Sequence, residues 1–395
     1  MNQPKSLLLY CQHSVGIGHL VRSFALAEAL GNQFDVTLVS GGAFPSNFHV
    51  PNNIRFVQLT PIAQNEAGNL ELVETGLALH EVMTIRKKRV MEVYKELLPD
   101  ILLTEFFPFG KIQFMGELLP ILKLIKKSEK PVMVVSSLRD ILELKSTAEK
   151  VQQRFSISVS EENYHALLVH GDADFIRLAE TFPEINQITR PIYYTGYVTT
   201  HTPSAGINHQ NFNKVVLSLG GGKVGPAFVK KVVGAFINHG FGKGITLKVI
   251  AGPNYPTDAW EEAKQLFSAV KGLELVHSVP NLLNEWRQAR LSVSMAGYNT
   301  SMELISNRIP ALLLPYENST NTEQTLRSQK LQSAGLARTI DFNEASEKDM
   351  ADAIKESLDF IPSPKIMDMN GANNSSTLLT RLVNEHYDKF KTAVK

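Results

Sequence analysis

Short apolar runs alternate with stretches of helical period along most of the chain. Ser6–Gln12, Phe34–Ser40 and Ile54–Leu59 read as strands, with a helix over His19–Leu30 ended by Gly31. A long helix is expected over Leu70–Leu97, closed by Pro99 and carrying Arg86-Lys-Lys-Arg89 on a solvated face. Strand Asp100–Thr104, helix Lys111–Lys127, strand Pro131–Ser136, helical sequence to Tyr164, and strands Ala166–His170 and Ile192–Thr195 follow. The pattern then restarts. Strands are expected at Val215–Leu219, Ile245–Ala251, Leu273–Val276, Leu291–Met295 and Ala311–Leu314. Helices fall between them, then at Thr322–Ala334, Glu347–Asp359 and Ala372–Phe390. Such alternation builds βαβ units on parallel sheets. The fold class is therefore α/β, as two facing doubly wound Rossmann-like domains with a ligand cleft at their strand carboxyl ends. The expected division is 1–197, a linker over 198–213, and 214–395.

Composition narrows the functional classes. A length of 395 residues suits two domains, and a net charge of +1 argues against a dedicated nucleic-acid binder. Cys11 is the single cysteine, which excludes a disulfide framework and a cysteine-based zinc site. No run of eighteen apolar residues occurs, so the expectation is a cytoplasmic protein. Any membrane contact would be peripheral, through Phe106–Lys127, a stretch that a core helix explains more simply.

The chemistry concentrates where strands turn into helices. Leu291–Met295 passes through Ala296-Gly297 into a helix starting near Tyr298, and a helix N-terminus beyond a strand end favours anions. Glu303 lies six residues past Gly297, roughly 9 Å along the axis. That is the span from a diphosphate to its ribose, where a carboxylate can accept from a diol. The competing reading makes Thr300-x-x-Glu303 a capping box.

Gly16-Ile-Gly-His19 begins like a dinucleotide fingerprint, but Val21 stands at the third glycine position and no acid follows the second strand. His19 at a helix start is kept neutral and suits a general base; an ordinary capping histidine is the alternative. Gly220-Gly221-Gly222-Lys223 is not a P-loop, yet its three glycines are expected to present N–H groups to an anion, with Lys223 adding charge. Glu323 and Gln324 offer groups for hydroxyls or simply complement a helix dipole. Glu105 is a second candidate acid. Phe106, Phe107 and Phe109 beside it line an acceptor pocket or belong to the core. Asp172, in the isolated His170-Gly-Asp172, stands after Glu105 as a reserve base.

These motifs, in this order, resemble family 28 glycosyltransferases. The resemblance lies in the Gly16–His19 turn, the Gly220–Gly222 turn, Ala296-Gly297-x-Asn299-Thr300-x-x-Glu303, and Ile309–Pro315 followed by Glu323-Gln324. It covers about Val215–Ala337. Glu323 departs from the amide or aspartate common in the family, and Leu138–Ile141 with Tyr194–Tyr197 resembles an uncharacterised bacterial branch. The resemblance implies a GT-B fold and inversion. It also implies no obligatory metal and no cofactor, with a nucleotide-sugar donor, UDP-linked, as co-substrate. It assigns the donor side to Gly220, Gly221, Gly222, Lys223, Ala296, Gly297, Asn299, Thr300, Glu303, Glu323 and Gln324. His19 is then the base, and Gly16, Gly18, Arg22 and Glu105 lie on the acceptor or phosphate side. The acceptor is an unidentified hydroxyl compound: small molecule, glycan or lipid. A hydrolase, a 2-epimerase and a non-catalytic nucleotide-sugar binder are the competing functions.

Overall fold

The computed structural model describes residues 4–13, 18–45, 48–64, 69–73, 76–142, 147–200, 207–222, 224–316 and 322–393. The chain divides into two compact units, 1–200 with 368–395 and 201–367.

The first unit contains β1 (Ser6–Cys11), α1 (Gly18–Leu30), β2 (Asp35–Ser40), β3 (Ile54–Gln58), β4 (Ile62–Gln64), β5 (Leu70–Leu72) and α2 (Leu79–Leu97). Then come β6 (Ile101–Glu105), α3 (Met115–Ile125), β7 (Met133–Arg139), α4 (Thr147–Asn163), β8 (Ala166–His170) and β9 (Ile192–Tyr194). Seven strands form a parallel sheet in the order β3-β2-β1-β6-β7-β8-β9. Side chains alternate across a strand. Leu7, Leu9 and Cys11 accordingly enter one core with α1, while Leu8 and Tyr10 enter another with α2 and α3. Burial on both faces explains why these strands read as continuous apolar runs.

The second unit contains β10 (Lys214–Ser218), α5 (Pro226–His239), β11 (Thr246–Ile250), α6 (Thr257–Phe267), β12 (Leu273–Val276), α7 (Leu282–Arg287) and β13 (Leu291–Met295). It continues with α8 (Tyr298–Ser306), β14 (Ala311–Leu314), α9 (Glu323–Ser333), β15 (Arg338–Thr339) and α10 (Glu347–Ser357). Its sheet, also parallel, runs β12-β11-β10-β13-β14-β15. Val215, Leu217, Val249, Val293 and Leu312 pack against Phe228, Val232, Met350 and Ile354.

The final helix, α11 (Gly371–Ala393), corrects the expected division. It belongs to the first unit, where Leu379 and Val383 join the core of Leu7, Phe24 and Leu26. Tyr197 N–H donates to Asp368 O at 2.7 Å and Gly371 N–H to Tyr197 O at 3.0 Å, fixing the return. An amphipathic stripe specifies that a helix is buried, not which sheet receives it.

Two further expectations fail nearby. Leu70–Leu72 is not helical but pairs antiparallel with Ile62–Gln64, so the helix begins only at Leu79. Arg86 is fully buried, not solvated. Its Nε donates to Glu117 Oε1 at 2.8 Å, and its Nη1 donates to the Gly41 and Thr60 carbonyls, each at 2.7 Å. Tyr10 completes the network by donating to Glu117 Oε2 at 2.7 Å. α3 is a core helix through Leu118, Ile121 and Leu122. Among the described residues no helix is long and apolar enough to cross a membrane.

Candidate active site

Ligands of open α/β sheets bind outside the strand carboxyl ends where the strand order reverses. In the first unit that point lies between β1, which leads into α1, and β6. His19 stands in the first turn of α1 and Glu105 is the last residue of β6. The topology thus brings together two residues 86 apart in sequence: His19 Nδ1 is 2.6 Å from Glu105 Oε1. Arg22, one turn further along α1 and buried, forms an ion pair with the same carboxylate oxygen.

Arg139, ending β7, places Nη2 2.6 Å from His19 Nε2. A guanidinium has donors only, so Nε2 is the acceptor and Nδ1 carries the proton given to Glu105. The imidazole is therefore neutral. Burial and the Arg139 cation push it down to about 3. Burial raises the Glu105 carboxyl, but His19 and Arg22 outweigh it and hold it at about 2. Glu105 is thus an ionised carboxylate shared by His19 and Arg22. Phe106, with a left-handed φ of 65°, sets its ring edge-on to His19 at 5.5 Å and under the Arg139 guanidinium at 5.8 Å. Phe107 and Phe109 are core residues, 0% and 1% exposed.

Gly18 opens α1, while Gly16 lies outside the described residues. Asp172 is used in loop geometry, accepting from the Asp174 N–H at 2.9 Å. His170 is buried between Ser137 Oγ at 2.7 Å and Thr195 Oγ1 at 2.9 Å, a structural role.

In the second unit the order reverses between β10 and β13. Gly220–Gly222 follows the first of these strands and Ala296-Gly297 the second. Gly222, at φ +89°, is required by space as well: a Cβ there would lie 2.5 Å from Ala251 O. Its N–H donates to Leu219 O at 3.0 Å. The turn therefore does not offer three consecutive amides, because the last is spent closing it. Lys223 lies outside the described residues.

Gly297 is the N-cap of α8, and nothing stands within 4 Å of where its Cβ would be. Asn299 and Thr300 lie half-buried in the first turn. Because the cap is Gly297, Thr300 is already inside the helix, and Thr300-x-x-Glu303 is not a capping box. Glu303 follows on the second turn, 8% exposed.

α9 begins at Glu323, whose carboxylate meets Arg327 Nη2 at 2.9 Å. Arg327 is fully buried, donates to Ala296 O at 3.4 Å and lies over the Tyr298 ring at 5.4 Å. It ties α9 to the turn before α8. Gln324 Oε1 accepts from the Tyr316 N–H at 3.1 Å. These oxygens serve the protein's own architecture. Sequence reasoning missed Arg139 and Arg327. The i,i+4 spacing of Glu323 and Arg327 was the one local signal for the second; Arg139 stood in the Leu138–Ile141 stretch of the resemblance with no role attached. Among the described residues no group of three His, Cys, Asp or Glu is placed to hold a metal ion.

The family model for the Glycosyltransferase family 28 C-terminal domain matches residues 243–382. It begins after the Gly220–Gly222 turn and runs into α11. A UDP-N-acetylglucosamine–N-acetylmuramyl-(pentapeptide) pyrophosphoryl-undecaprenol N-acetylglucosamine transferase of Thermotoga neapolitana is 27% identical over 122 residues, 31% of this chain. The chain spans about a third of that relative's length, 34%. The Acinetobacter baumannii MurG structure has a TM-score of 0.58 at 14% identity, covering 96% of this chain and 100% of that one. A Listeria monocytogenes protein described as a UDP-N-acetylglucosamine 2-epimerase has a TM-score of 0.59 at 11% identity, covering 98% of each. The fold is GT-B.

Proposed function

We propose, from the premise that this chain carries a family 28 glycosyltransferase domain in its carboxyl-terminal part, that it is an inverting, metal-independent glycosyltransferase. It moves a hexose or N-acetylhexosamine from a nucleotide-diphosphate sugar to an acceptor hydroxyl. The carrying observation is that each sheet places its candidate residues at its own switch point, His19 with Glu105 on one and Gly297 with Glu303 on the other. A UDP donor is supported by the name of the Thermotoga relative. The acceptor is a small molecule, glycan or lipid, and the protein acts in the cytoplasm with at most peripheral membrane contact.

The reaction is one displacement. The acceptor hydroxyl gives its proton to His19 Nε2 while Glu105 stabilises the imidazolium that forms. The hydroxyl oxygen bonds to the anomeric carbon as the bond from that carbon to the diphosphate breaks, which inverts the centre. Charge developing on the leaving diphosphate meets the first-turn amides and the dipole of α8. That arrangement supplies electrostatic stabilisation without a divalent ion. Glu303 accepts from the donor's hydroxyls.

The GT-B likeness extends to a 2-epimerase as well as to transferases, so the fold alone makes no choice. The family 28 domain favours transfer. Mass spectrometry of a nucleotide-sugar panel incubated with cell extract and EDTA tests it. The expected product is an acceptor heavier by one sugar, with nucleoside diphosphate released. Free sugar alone would indicate a hydrolase, epimerised donor a 2-epimerase, and binding without turnover a silent binder.

A further inference from the structure

Arg86 lies on the buried stripe of α2, where an apolar side chain is expected. Val82, Arg86 and Val90 follow one another at four-residue spacing on that stripe, while Lys87 and Lys88 are exposed. A guanidinium carries five N–H donors, and here all five are used. Nε and Nη1 serve Glu117 and the Gly41 and Thr60 carbonyls. Nη2 adds Gln12 Oε1 at 2.5 Å and Glu117 Oε2 at 3.3 Å.

Three of these partners stand at the ends of neighbouring strands. Gln12 follows β1, Gly41 follows β2, and Thr60 lies just beyond β3. Arg86 therefore clamps three strand ends at the pole that carries His19. Gln12 passes the constraint on, because its Nε2 donates to His13 O at 3.0 Å and to Ile62 O at 3.3 Å. The packing leaves no slack. A Cβ on Gly41 would collide with Gln12 Oε1, and one on Gly42 with His13 O and the His13 ring. Burial lowers His13 and His19 alike, and the same two charges, Lys111 and Glu105, act on both. The clamp thus ends where His19 meets Glu105.

Stability alone does not account for this network. A buried ion pair replaced whole by apolar side chains is often neutral or better. A fully satisfied polar network instead fixes one geometry. We propose that Arg86 and Gln12 are positioning residues for the His19 site, holding the exit of β1, from which the chain enters α1, in register with the exits of β2 and β3. This rests on the transferase reading for what His19 does there. Its consequence is that rate, and not donor affinity, depends on a fully buried cation.

Gln12→Met and Arg86→Lys test it. Both leave the formal charge at the pole unchanged, so a response reports displacement and not a lost charge. The full-length chain with ¹⁵N-labelled histidine is observed by NMR at pH 7.5, with signals assigned by their loss in His19→Asn and His170→Asn. His170 is the internal reference, since its bonds to Ser137 and Thr195 do not involve the clamp. The His19 ring-nitrogen resonances should shift in both variants while those of His170 stay. With substrates supplied, kcat per folded molecule should fall about tenfold to a hundredfold, with donor KM unchanged. Unmoved His19 resonances overturn the proposal. So does movement of His170 with them, which would mean general loosening. If one variant does not fold, the other decides; if neither folds, the network is structural and the proposal falls. His19 resonances that move in a chain without nucleotide-sugar turnover would keep the positioning role and remove the transferase reading; turnover with His19 unmoved would do the reverse.

Discussion

His19 Nδ1 stands 2.6 Å from Glu105 Oε1, and the same carboxylate oxygen is held by the buried guanidinium of Arg22. One oxygen therefore fixes both the imidazole's tautomer and the register of α1 against β6. Glu105→Gln should lower kcat by about tenfold to a thousandfold, because the imidazolium loses its counter-charge. It should also destabilise the fold by about 3–5 kcal/mol, since the buried Arg22 loses its ion pair with Glu105. Steady-state kinetics and urea unfolding measure the two losses. A variant with parental kcat would remove Glu105 from the mechanism.

Stability should fall on mild acidification. Burial, with nearby cations, lowers His13 to about 4 and His19 and His170 to about 3, against about 6.5 when unfolded. The unfolded chain therefore binds protons first as pH drops. The contribution is fully present above about pH 6.5 and is lost as pH falls through the folded values, with a slope of up to about 4 kcal/mol per pH unit from the three together. Urea midpoints at pH 7.5, 6 and 5 should decrease in that order. Equal midpoints would mean that these histidines are solvated.

Glu303→Gln should weaken nucleotide-sugar binding by about 1–3 kcal/mol and leave stability nearly unchanged. The Gly297 cap makes the second half of this prediction firm, because Glu303 is too far along α8 to satisfy its first amides. Calorimetric titration with a nucleotide sugar checks it. An unaltered dissociation constant would place the ribose elsewhere.

Arg86→Met should cost about 3–5 kcal/mol by stranding Glu117 without its cation. The Gly41 and Thr60 carbonyls lose their donor at the same time. Urea unfolding reads this directly, and a change under 1 kcal/mol would mean that water reaches the network.

Local pattern carried much of the fold. Ala166–His170, Leu291–Met295 and Ala311–Leu314 form strands at their expected bounds, and α8 begins at Tyr298 as expected, because turn residues bracket short runs buried on both faces. What failed was non-local. Nothing near Arg86 announces Glu117, 31 residues on, so a charge run read as surface holds a buried cation. Nothing in α11 says that its stripe belongs beside Leu7 and Phe24. The site divides the same way. His19 and Gly297 were legible as candidates because they sit at strand-helix turns, and Glu303 by its spacing from Gly297. Arg139 was not, because its meeting with His19 depends on strands β1, β6 and β7 lying side by side.

The most direct measurement is His19→Ala, read as kcat beside donor affinity, with the true acceptor supplied. A general base contributes about 10²–10⁴-fold to rate, and the residues proposed to hold the donor lie in the other unit. The variant should lose kcat by that factor, keep its nucleotide-sugar dissociation constant, and recover part of the rate with added imidazole. Turnover equal to the parent's, with donor affinity intact, would contradict the account and place the base elsewhere.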